Sequence, residues 1–100
     1  MRPPKAFIDE VTKTLVDQGL VIQAGWKGYE LGVLSPDAGT LQRTETRMAF
    51  FAGAQHLFSS IFSILSPEAE PTEKDLERMS QIHRELERFV AELKLDRRVP

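Results

Sequence analysis

Apolar residues recur along this chain at helical rather than strand spacing, and four stretches carry the pattern. In the first, Phe7, Ile8, Val11 and Leu15 fall on one face of a helix. Pro3 and Pro4 suit its start, because the first turn of a helix leaves its N–H groups unbonded and proline has none to lose. Gly19 suits its stop, since many helices end on a residue in the left-handed conformation. The spacing predicts a helix over about 4–18.

The second stretch, LVIQAGWKGYELGVL over 20–34, admits two readings. Val, Ile, Trp and Tyr favour strands, and a strand pair could turn between Gly25 and Gly28. As a helix, Ile22, Trp26, Tyr29 and Val33 form one stripe, and Gly25, Gly28 and Gly32 form another. Three glycines cost a helix about 3 kcal/mol relative to alanine. A lone two-stranded hairpin on a helical chain is itself marginal. Helix is the reading adopted, with the hairpin as its alternative.

The turn cluster Ser35-Pro36-Asp37-Ala38-Gly39-Thr40 precedes a third helix over about 41–65, roughly 37 Å long at the helical rise. Within it Met48–Leu65 is eighteen residues without Asp, Glu, Lys or Arg. On a helical wheel Phe50, Phe51, Ala54, Leu57, Phe58, Ile61, Phe62, Ile64 and Leu65, with Met48 at the edge, cover an arc of about 200°. The remaining arc holds Ala49, Ala52, Gly53, His56, Ser59, Ser60 and Ser63. A solvated face ordinarily carries Lys and Glu; small residues let another backbone come close. The glycine stripe of the second helix is the expected match, in a close crossing of helices two and three. The alternative is that Ala49, Phe51, Ala52, Gly53 and Phe62 meet a second copy of the chain. Gln55, His56 and the serines make this stretch too polar for a membrane span.

After the break Ser66-Pro67-Glu68-Ala69-Glu70-Pro71, Thr72 is a good N-cap, with Glu73 and Asp75 in the first turn to suit the helix dipole. The fourth helix, about 73–93, has one apolar stripe of Leu76, Met79, Ile82, Leu86, Phe89, Val90 and Leu93. Its opposite face pairs Arg84 with Glu87, Glu85 with Arg88 and Arg88 with Glu92. Leu95 to Pro100 reads as a short basic tail that frays. The elements predict an all-α, four-helix single domain over 1–100. Helices three and four form a long antiparallel hairpin, helices one and two pack across it, and the whole is homo-oligomeric, most simply a dimer.

Composition narrows the function classes. A chain of 100 residues is one domain's worth, and 41% hydrophobic with 28% charged residues is ordinary for a globular protein. A net charge of −2 disfavours nucleic acid as a partner. The absence of cysteine excludes disulfides and thiolate chemistry and fits a reducing cytoplasm. Acidic residues arrive at Asp9 and Glu10 before any apolar run, so no signal peptide is read.

Candidate chemistry is sparse. His56 is the one ionisable group in the uncharged stretch, without a carboxylate within one helical turn. It reads as a hydrogen-bonded interior or interface residue rather than a catalytic group. Two histidines fall short of the three or four ligands of a metal site, and no cofactor motif occurs. Arg43 and Arg47 lie towards the large apolar arc. They read as snorkelling or paired side chains, or as contacts for a small anionic ligand, with Trp26 and His56 beside them. The primary expectation is a non-enzymatic, self-associating protein with protein partners. A nucleotide-like ligand held by Trp26, Arg43, Arg47 and His56 is the alternative.

The string from Arg47 to Phe58, RMAFFAGAQHLF, followed by Glu70-Pro71-Thr72, resembles a family of short bacterial and prophage proteins over about Leu20 to Leu93. The resemblance implies a phage or mobile-element setting, such as an accessory or counter-defence factor. It implies no catalytic residues.

Overall fold

A computed structural model describes residues 1–68 and 70–98, with side chains described as far as Leu93. The fold is all-α, with four helices: α1 (Lys5–Asp17), α2 (Val21–Gly32), α3 (Thr40–Ile64) and α4 (Glu73–Arg98). The glycine-bearing stretch is therefore helix, and no strand occurs among the described residues. The two long helices have the lengths expected of α3 and α4. The chain divides into two compact units, Met1–Phe58 and Ser59–Pro100, with the division inside α3.

In the first unit, α1 stops where Gly19 takes φ +82°. The N–H of Leu20 then reaches Leu15 O at 2.9 Å, and that of Gly19 reaches Val16 O at 2.9 Å. This is the Schellman pattern, and it turns the chain directly into α2. α1 packs on α2. Two of the three glycines of α2 make this approach close. A Cβ at Gly28 would sit 3.5 Å from the Thr12 methyl of α1, and one at Gly32 would sit 3.9 Å from Ile8 Cδ1. The third, Gly25, receives a ring: its Cβ would lie 3.2 Å from Phe50 Cζ of α3.

The close crossing expected between α2 and the small-residue arc of α3 is thus not formed. The glycines face α1 and Phe50, and a Cβ at Gly53 would meet open space. The glycines of α2 instead admit the Thr12 methyl and Ile8 of α1 and the Phe50 ring of α3.

The centre of this unit is Trp26, which is 2% exposed, with Ala24 and Leu34 also buried. The Trp26 ring meets Phe50 edge-on at 5.9 Å and stacks with Tyr29 at 6.2 Å. Tyr29 and Phe50 lie 6.2 Å apart, as do Phe50 and Phe51. Aromatic pairs in such geometries contribute about 0.5–1.5 kcal/mol beyond the area they bury.

Two arginines fasten the C-terminal end of α2 and the turn that follows it. Arg2 donates to Leu34 O at 2.8 Å and to Val33 O at 2.9 Å, supplying donors to carbonyls that a helix end leaves open. Arg43 donates to Ala38 O and Pro36 O, both at 3.1 Å, and so holds the turn between α2 and α3.

In the second unit the cap of α4 is a reciprocal box. Asp75 N–H donates to Thr72 Oγ1 at 3.1 Å, while Thr72 N–H donates to Asp75 Oδ2 at 3.1 Å. Asp75 Oδ1 also accepts from Ser66 N–H at 2.9 Å and Ser66 Oγ at 3.0 Å. The carboxylate is buried and joins the residues after α3 to the start of α4. α4 then runs past Leu93 to Arg98, so the expected frayed tail is helical over these residues. Nothing between Leu93 and Arg98 breaks a helix, and the first proline is Pro100, which biases only its predecessor away from helix. Ala69, Val99 and Pro100 lie outside the described residues.

Candidate association surfaces

The residues proposed from sequence as a ligand site do not converge. Trp26 is the buried centre of the first unit and presents no ring face to a ligand. Arg43 is engaged by the two turn carbonyls and by Glu30, 3.5 Å away. Glu30 also binds Lys27 at 2.8 Å. That hydrogen bond is the main reason its carboxyl is held below the ordinary range; Arg43 adds to the effect and burial opposes it. Arg47 donates to Gln23 Oε1 at 3.2 Å and lies over the Phe51 ring at 4.5 Å. An exposed cation–π contact of this kind is worth about 0.5–1 kcal/mol. The Arg47 group therefore links α3 to α2 through the neutral Gln23 rather than through an ion pair.

His56 lies nine residues beyond Arg47 on α3, about 180° round the helix at 100° per residue. It is exposed, as are Ala49, Ala52 and Gly53 on the same arc. The interior or interface setting expected for it is not found within the chain, because α2 covers the Phe50 side of α3 instead. His83 pairs with Glu87 one turn on, and both are exposed. Among the described residues no three His, Cys, Asp or Glu are placed to hold a metal ion.

What the structure does assemble is apolar surface. Between α2 and α3 of the first unit, Val21, Ile22, Phe51, Ala54, Gln55 and Phe58 line a groove of about 540 Å³. Phe51 is thus half-buried at a groove wall, while Phe62, its companion in the sequence-based self-association set, is 68% exposed. Val21 and Ile22 contribute to this groove, although the sequence reading places only Ile22 on a stripe and gives neither a surface role. Their signal was present: two adjacent large apolar residues directly after a helix stop cannot both face α1.

The other surface is α4. Leu76, Met79, Leu86, Phe89, Val90 and Leu93 are all exposed, Leu86 at 54% and Phe89 at 60%. Ile82 is half-buried. This is the whole apolar stripe of the helix, opposite a charged face that already satisfies solvent. No described helix is long and apolar enough to cross a membrane. Comparison with protein-family models, with curated proteins and with solved structures finds no match.

Proposed function

We propose that this chain is a non-enzymatic, self-associating helical interaction protein of the cytoplasm, functioning as an oligomer, most simply a dimer. The observation that carries the reading is the exposure of large apolar side chains on every helix, while the buried apolar residues among those described are Ala24, Trp26 and Leu34. Each Leu, Val or Phe moved fully from water into a contact gains about 1.5–3 kcal/mol, so a surface of this kind is a strong drive to associate. The lack of cysteine supports a reducing compartment. The prophage-like motif around Arg47–Phe58 adds an accessory or counter-defence role in phage biology to the proposal.

The reading as a binder of small anionic ligands has less support, since Trp26 is buried and both arginines are engaged within the chain. The test of self-association is thermal unfolding across a wide range of protein concentration. Assembly stabilises the folded state by mass action, so the midpoint should rise with concentration. A midpoint independent of concentration would count against the proposal.

A further inference from the structure

We draw no further inference here: the strongest candidate, the exposed apolar stripe of α4 formed by Leu76, Met79, Leu86, Phe89, Val90 and Leu93, carries none because nothing in the structure shows what covers it.

Discussion

At the scale of single residues, Trp26 and the glycines decide most. Trp26 is in contact with rings from two helices, so Trp26→Ala should cost about 3–5 kcal/mol, read as a drop in the chemical-denaturation midpoint. A cost below 1 kcal/mol would mean that the aromatic cluster is not the centre of the first unit. Gly53 gives the opposite expectation. Its Cβ position is open, so Gly53→Ala should stabilise the chain by up to about 1 kcal/mol through helix propensity alone. A destabilised Gly53→Ala chain would restore the idea that this face is tightly covered. The glycine stripe of α2 and the small-residue arc of α3 were legible in the sequence, but their partners were not. Wheel position tells which residues share a face; it does not tell which neighbour has side chains of a size to fill the gap. Thr12, Ile8 and Phe50 are the ones that fill it here.

At the scale of elements, the helices and their ends were the most legible features. Gly19, Thr72 and the proline clusters act through local backbone chemistry, which sequence carries without knowledge of the fold. The uncertain element, α2, is helical because tertiary contacts offset the propensity cost of its glycines: the stripe that weakens the isolated helix is the one that lets α1 and Phe50 approach. The cap of α4 gives two predictions. Thr72→Ala should lower stability by about 1 kcal/mol in thermal unfolding, the usual loss when a side-chain cap is removed.

Asp75 adds a pH dependence. The N–H of Thr72 and then that of Ser66 are the largest influences holding its carboxyl below the ordinary carboxylate range. Because the folded state binds this proton less readily than the unfolded chain, its contribution is complete above the ordinary value of about 3.9 and is lost as pH falls through the lower folded value. Helicity followed by circular dichroism should therefore fall less steeply on acidification in Asp75→Asn than in the unsubstituted chain. Identical acid transitions would remove Asp75 from the account.

For the molecule as a whole, the sequence shows a surplus of apolar surface, and the structure exposes large apolar side chains on every helix. Attention to the uncharged run of α3 pointed to the small face around His56. The exposed stripe of α4 looked instead like an ordinary core-facing helix side, because amphipathicity has the same pattern whether the cover comes from the same chain or another. The ligand set Trp26, Arg43, Arg47 and His56 was assembled from residue type, and the fold spends three of those side chains on its own contacts. The division inside α3 had no local signal, since the helix runs through it without a glycine or proline at the boundary.

The central claim is that this chain completes the burial of its apolar side chains by joining another copy of itself. The most direct measurement is the solution mass by light scattering on a sizing column at micromolar concentration. The account predicts twice the chain mass of 11.3 kDa, or a higher whole multiple. A single species at 11.3 kDa across the accessible concentration range would contradict it.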